Sequence, residues 1–192
     1  LRLRSMNQLS RSRQKLVRSN EIRTEQSRML ALVLDYCRTL AATDDLDAIL
    51  DQTVAVTAEL TFSRRVSVML PGPEGRYLTI AKAIGIDADT ARSTRVSIGS
   101  DIAGRVFESR RSIVINSPEQ GGKLGGGYDS RFHASVPMIS NVSGSSEPVI
   151  GVLNVSNRHA GHPFEPRELE FIDLISNIAA AAIHQIQIRK TR

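Results

Sequence analysis

The chain of 192 residues has a single cysteine, Cys37, no tryptophan, and only 4% aromatic residues. One cysteine excludes an internal disulfide, a CxxC zinc site and a cysteine-rich redox centre, and it suits a reducing, cytoplasmic compartment. The scarcity of rings leaves little for a stacking surface. No run reaches the roughly 18 to 20 consecutive apolar residues of a membrane span, and the N-terminus lacks the apolar core of a signal peptide, so no membrane partner is expected for this segment. The sequence begins at Leu1 rather than Met and is expected to be part of a longer chain, with an anchor upstream left open. What is present is ordinary for a globular chain, 41% hydrophobic and 23% charged. That allows one cored domain and one long accessory helix.

The net charge of +5 is unevenly spread. Residues 1–40 carry nine Lys or Arg against three acids, whereas residues 41–192 carry sixteen against seventeen. The basicity belongs to the N-terminal arm, not to a folded reader of base edges, so nucleic acid is not an expected partner. Two segments follow, a basic arm and helix over 1–42 and a globular domain over 43–190.

Residues 1–19 are polar with irregular apolar spacing, and a frayed or linker-like helix is expected there. From Glu21 to Leu40, Ile22, Met29, Val33, Tyr36 and Leu40 fall on one helical stripe. Asp44 is the expected N-cap of a second helix reaching Leu60, with Asp47 in its first turn. Arg65–Leu70 alternate as a strand, Pro71-Gly72-Pro73-Glu74-Gly75 is turn chemistry, and Tyr77–Ile84 returns to complete a hairpin. A polar stretch leads to a short strand at Val96–Ile98, a helix over Asp101–Glu108 opened by Ser100, and a strand at Ile113–Ile115. A long loop over Asn116–Arg131 precedes a second hairpin, Ala134–Ile139 and Val149–Ser156. The last helix starts with Pro166 at its first position and Glu168 complementing its dipole, and it runs to about Ile188.

That helix is apolar on two sides. Phe171, Leu174, Ile178, Ala181 and Ile188 form one stripe, and Ile172, Ile175, Ala179, Ala182 and Ile186 form another. One stripe packs on the sheet, and the other needs the N-terminal helix or a second chain. The candidate homodimer interface is therefore Met29, Val33, Tyr36, Leu40, Leu174, Ile178 and Ile188.

Four motifs stand in order between about Leu46 and Gln187. They are Gly99-Ser100-Asp101-Ile102-Ala103-Gly104-Arg105-Val106, Ser135-Val136-Pro137-Met138, Ile150-Gly151-Val152-Leu153-Asn154-Val155, and Phe164 followed by Glu168. In that order they resemble the GAF domain. The resemblance implies an α/β (α+β) fold with a central antiparallel sheet of about six strands, long terminal helices on one face and a small-molecule pocket on the other. It implies a regulatory sensor of a larger signalling protein, dimeric, non-catalytic and without cofactor, whose effector domain lies outside this segment. The implied pocket rim is Ile102, Ala103 and Asn116 on one side and Tyr128, Arg131, Phe132 and Ser135 on the other. Asn157-Arg158 with Phe164 and Glu168 is similar to the lid-locking signature of cyclic-nucleotide-binding members, with Arg158 in place of Lys and Glu168 in place of Asp. For such a ligand, the resemblance puts the Ala103 N–H on the phosphate and Tyr128 or Phe132 against the base. A dimerisation or spacer module whose pocket is filled by its own side chains fits the same sequence. A cavity of roughly 300 Å³ beneath residues 116–132 separates the two readings.

The glycine run Gly121–Gly127 is not followed by Gly-Lys-Ser/Thr and is no P-loop; a surface loop and a lid over the pocket both fit it. His159 and His162 have no neighbouring cysteine and read as surface residues, so no metal is expected. His133, just before a strand, is a candidate donor to a ligand or a structural histidine, and His184 falls on an interface edge. No Gly-x-Ser-x-Gly elbow exists, and Ser100 and Asp101 lack a histidine at a motif spacing. Bilin attachment needs a cysteine in the pocket and methionine-sulfoxide reduction several, whereas Cys37 lies on the N-terminal helix. No enzyme is expected.

Overall fold

Two hairpins and two short flanking strands assemble into one sheet. The computed structural model describes residues 2–117, 132–142, 148–158 and 162–191, with side chains described over 11–117, 132–142, 148–156 and 162–190. Its elements are α1 (Arg2–Ala41), α2 (Leu46–Thr61), β1 (Ser63–Pro71), β2 (Tyr77–Ile84), α3 (Ala88–Ser93), β3 (Arg95–Ser97), α4 (Asp101–Ser109), β4 (Ile113–Ile115), β5 (His133–Ile139), β6 (Val149–Arg158) and α5 (Pro166–Thr191). The sheet order is β3-β2-β1-β6-β5-β4, and every neighbouring pair is antiparallel. This is the six-stranded α+β arrangement that the resemblance implied.

The register assigns each strand residue to a face. On β6, Leu153 stands opposite Val68 and Val136, and Val155 opposite Val66 and Ala134. These six are buried and form the face on which α2 and α5 pack, α2 on β1 and β2 and α5 on β5 and β6. Asn154 stands opposite Ser67 and Ser135, and Ser156 opposite Arg65 and His133, so those residues belong to the second face. There α4 seals one end with an apolar cluster that includes Met69, Leu78, Val96, Val106, Ile115 and Val152.

The helices follow from their sequences. In α2, Thr53, Thr57 and Thr61 are buried, and each hydroxyl donates to the carbonyl four residues earlier, at 2.6 to 2.7 Å, which hides three polar groups without outside help. In α5, Ile172, Ile175, Ala179, Ala180 and Ile183 are fully buried. Among the described residues, Pro166–Lys190 is the one helix long and apolar enough, by length and composition, to cross a membrane. A search for unbroken apolar runs does not register it, because Ser176, Asn177 and His184 interrupt the run. Its inner row is spent on the sheet, as in the core helix of a globular domain.

Several expected boundaries shift. The first nineteen residues are not separate from the N-terminal helix, since α1 begins at Arg2 and residues 1–41 hold no Gly or Pro to break it. The N-cap of α2 is Asp45, not Asp44, because the Asp45 carboxylate accepts the Asp47 N–H at 3.1 Å while Asp44 pairs with Arg189. The polar stretch after β2 contains α3, capped by Asp87, which accepts the Thr90 N–H at 2.9 Å. Helix α3 buries none of its residues, so it carries no apolar period to read. Contacts divide the chain into Leu1–Asp35 and Tyr36–Arg192, a division that falls before residue 42. In the second unit, Tyr36 and Leu40 are buried, and the Tyr36 hydroxyl donates to Thr53 Oγ1 at 2.8 Å, that oxygen's own proton being committed to Ile49. Burial pushes the Tyr36 phenol upward, so it stays protonated as a donor.

Two glycines of the quoted motifs are explained by contact. A Cβ on Gly104 strikes the Ser97 carbonyl oxygen where α4 crosses β3, and one on Gly151 strikes the Met69 carbonyl oxygen on β1. Gly75 has φ +67° but open space around it. Gly104→Ala and Gly151→Ala are each expected to lower the unfolding free energy by about 1 to 3 kcal/mol through overpacking against rigid backbone. Gly75→Ala is expected to lose about 1 kcal/mol through the left-handed conformation alone. Urea titrations followed by circular dichroism rank the three, and a Gly151→Ala protein more stable than Gly75→Ala contradicts this account.

Candidate functional site

The second face of the sheet changes character along its strands. Past the cluster under α4, its buried residues become Ser67, His133, Ser135, Asn154 and Ser156, with half-buried Arg65 beside them. Each sits at an inward position of β1, β5 or β6 because of the alternation that buries Val66, Val68 and Val155 on the opposite face. A cavity of about 130 Å³ opens over this polar row. Its floor includes Arg65, Ser67, Asn154, Ser156 and His133, and Met69, Ile80, Ile86, Thr90 of α3 and Thr94 just after it complete the wall.

The polar groups are ordered by a directional chain of hydrogen bonds. The Ser135 hydroxyl donates to Asn154 Oδ1 at 2.7 Å, and Asn154 Nδ2 donates to Ser67 Oγ at 3.4 Å. Ser67 therefore accepts within the network and keeps its own proton for another acceptor. His133 is 1% exposed, and burial alone pushes its pKa down from 6.5 to about 4, so the ring is neutral at pH 7.

The residues singled out from sequence are placed as follows. Ile102 and Ala103 are fully buried members of the apolar cluster under α4 and do not line this cavity. Asn116 holds the backbone of Phe164: its Nδ2 donates to the Phe164 carbonyl at 3.2 Å and its Oδ1 accepts the Phe164 N–H at 2.8 Å. The structure thus joins a rim residue to a member of the lid-locking set across 48 positions of sequence. Ser135 lies behind the cavity as the donor to Asn154, and Phe132 is half-buried before β5. Phe164 is buried, and the Glu168 carboxylate accepts the Glu165 N–H at 2.8 Å, which caps the first turn of α5. Tyr128, Arg131, the run Gly121–Gly127, His159 and the side chains of Asn157 and Arg158 lie outside the described residues. Among the described residues no group of three His, Cys, Asp or Glu is placed to hold a metal. On the helices, Leu174 is 43% exposed, Ile178 and Ile188 are half-buried, and His184 Nδ1 bonds Ser140 Oγ at 2.8 Å. In the first unit Val33 is buried and Met29 half-buried.

The cavity-lining residues Arg65, Ser67, Asn154 and Ser156 were not identified from sequence. Their signal was present: both faces of the sheet are covered by helices, so a polar residue at either parity of β1 or β6 is an inward one. Alternation alone cannot distinguish such a residue from one facing solvent.

An antiparallel six-stranded sheet with its terminal helix on one face and a short-helix-covered cavity on the other defines the class as an α+β domain. The chain belongs to the GAF domain family, whose profile matches residues 45–183. Its fold is similar to that of the GAF domain of an Acinetobacter phosphoenolpyruvate-protein phosphotransferase, with TM-score 0.71, 14% identity, and coverage of 83% of this chain and 94% of that one. It is similar to residues 122 to 287 of a methyl-accepting chemotaxis protein, with TM-score 0.67, 17% identity, and coverage of 82% and 99%. It is also similar to a free methionine-R-sulfoxide reductase from Neisseria meningitidis in complex with its substrate, with TM-score 0.68, 19% identity, and coverage of 84% and 91%. No curated protein matches the sequence significantly. GAF domains are generally regulatory and stand in signalling proteins such as the chemotaxis receptor, although the reductase is an enzyme.

The buried histidine yields a pH prediction. Between pH 6.5 and about 4 the unfolded chain binds a proton at His133 that the folded chain refuses. Stability therefore falls as pH is lowered through that window, by roughly 2 to 3 kcal/mol from this group. Urea unfolding of His133→Gln and the parent protein at about pH 7 and about pH 4.5 isolates the contribution, and the variant is expected to lose less stability on acidification. An equal loss in both proteins contradicts the assignment.

Proposed function

We propose that the chain is a non-catalytic regulatory sensor domain that binds a small molecule over the polar row of the second sheet face and transmits the bound state through α1 and α5 within a homodimer. The observation that carries this reading is a set of hydrogen-bonding side chains buried around open space. A pure spacer gains nothing from such a site, because buried polar groups cost stability unless satisfied and apolar filling of the same volume is cheaper. The cavity bounded by the described residues is smaller than the roughly 300 Å³ usual for drug-sized ligands. Its volume favours a ligand below the size of a cyclic nucleotide. The non-catalytic part is supported by the generally regulatory role of GAF domains. Cys37, the lone cysteine, is also the support for a cytoplasmic location.

The test is a fragment library screened by amide chemical shifts. Binders are expected to move Ser67, Thr94 and Asn154 together, and Ser67→Val, which fills part of the space, is expected to abolish those shifts while leaving the fold intact. A library that moves none of the three overturns the sensor reading in favour of the spacer.

The homodimer is supported by exposed Leu174 and half-buried Ile188 on one apolar stripe of α5. Leu174→Glu with Ile188→Glu is expected to give monomers, because a dimer buries both charges against apolar partners. Light scattering that returns an unchanged dimer mass contradicts it.

A further inference from the structure

The cavity has a sign, a polarity and a size, and together they select a ligand class. Its one cationic side chain among the described residues is Arg65, no Asp or Glu lines it, and Arg65 has no ion-pair partner among the described residues. The two acids at the start of α3 are otherwise engaged, Asp87 as the cap accepting the Thr90 N–H and Asp89 with Arg92. A half-buried guanidinium beside a cavity without a counter-charge is a site for an anion, and its planar fork matches a carboxylate.

The hydrogen-bond chain agrees with that sign. Because Ser135 donates to Asn154 and Asn154 donates to Ser67, the end of the chain at the cavity is the Ser67 hydroxyl proton, with the second Asn154 N–H beside it. The chain offers donors to a ligand, not acceptors. His133, neutral at pH 7, adds no second positive charge. The rest of the lining sets the apolar side chains of Met69, Ile80 and Ile86 beside Thr90 and Thr94. A protein cavity of about 150 Å³ accepts benzene, so the 130 Å³ here sets a single six-membered ring as the upper bound of the apolar body.

We propose that this cavity binds a small monocarboxylate with a compact apolar body, its carboxylate held by Arg65 and the Ser67 and Asn154 donors and its body against Met69, Ile80 and Ile86. The proposal rests on the sensor reading above and adds the ligand class. It predicts discrimination by charge at constant shape. Benzoate and isovalerate are expected to bind, whereas benzamide, isovaleramide and isoamylamine bind at least tenfold more weakly.

The test is calorimetric titration and amide-shift mapping of the whole chain with those five probes, together with inorganic phosphate and cyclic mononucleotides. Arg65→Gln, at a half-exposed position that the fold tolerates, is expected to weaken benzoate at least tenfold without changing the weak binding of benzamide, and Arg65→Lys is expected to restore part of the loss. Asn154→Asp, which keeps an acceptor for Ser135 but places a negative charge at the site, is expected to abolish carboxylate binding. Equal affinity for benzoate and benzamide with shifts at Ser67 and Asn154 overturns the carboxylate class and leaves the sensor reading standing. Preference for phosphate or a cyclic nucleotide at the same residues does likewise. Shifts from none of the probes overturn the carboxylate proposal, and the fragment screen then decides the sensor reading separately.

Discussion

The architecture depends on the placement of β6. It is the last strand in sequence and lies in the middle of the sheet, paired to β1 on one side and β5 on the other. Without it, β3-β2-β1 and β5-β4 are separate pieces with no shared face for α5. The pairing with β1 closes a long stretch of chain, so the contact that unites the sheet is also one of its most non-local. A slip of one residue would place Leu153 and Val155 over the polar row and turn Asn154 and Ser156 toward the apolar helices. Gly151 contributes by letting the β1 backbone lie where a side chain would otherwise intrude.

The two faces solve the burial of polar groups differently. On α2, each buried threonine returns its proton to a carbonyl one turn back, so the donors are consumed within the helix itself, and Tyr36 joins the end of that series. On the opposite face, the sequence Ser135, Asn154, Ser67 runs across three strands and ends at open space. The first arrangement is complete in itself. The second has directional bonds that orient Asn154 and Ser67 before anything arrives, the condition under which a small ligand is bound without reordering its host.

Much of the fold is legible in the residues. Tyr77–Ile84 and Ile113–Ile115 have the bounds expected from the sequence, and the turn chemistry of Pro71 to Gly75 joins β1 to β2. The family resemblance implies an antiparallel sheet of about six strands, and the strand order comes from the structure, since periodicity says which residues alternate and not which strands are neighbours. The site was less legible. Ile102 and Ala103 lie in a motif that suggests a rim, yet their small and branched side chains complete the cluster beneath α4. The resemblance implies a place on the pocket rim for Asn116, and only the three-dimensional structure shows both ends of its amide engaged by the Phe164 backbone. Arg65 and Asn154 went unread because a polar residue in an alternating strand has no mark in sequence that says the opposite side is covered.

The outermost strands, β3 and β4, are three residues long. A sheet with such brief margins offers an incoming strand few unpaired backbone groups, and on β3 the guanidinium of Arg95 stands over the Tyr77 ring at 5.6 Å, a bulky charge at the margin. Growth of the sheet by edge addition, the route to fibrils and runaway polymers, is thereby discouraged at both ends. A crowded population of such domains can therefore stay dispersed without one copy templating the aggregation of the next.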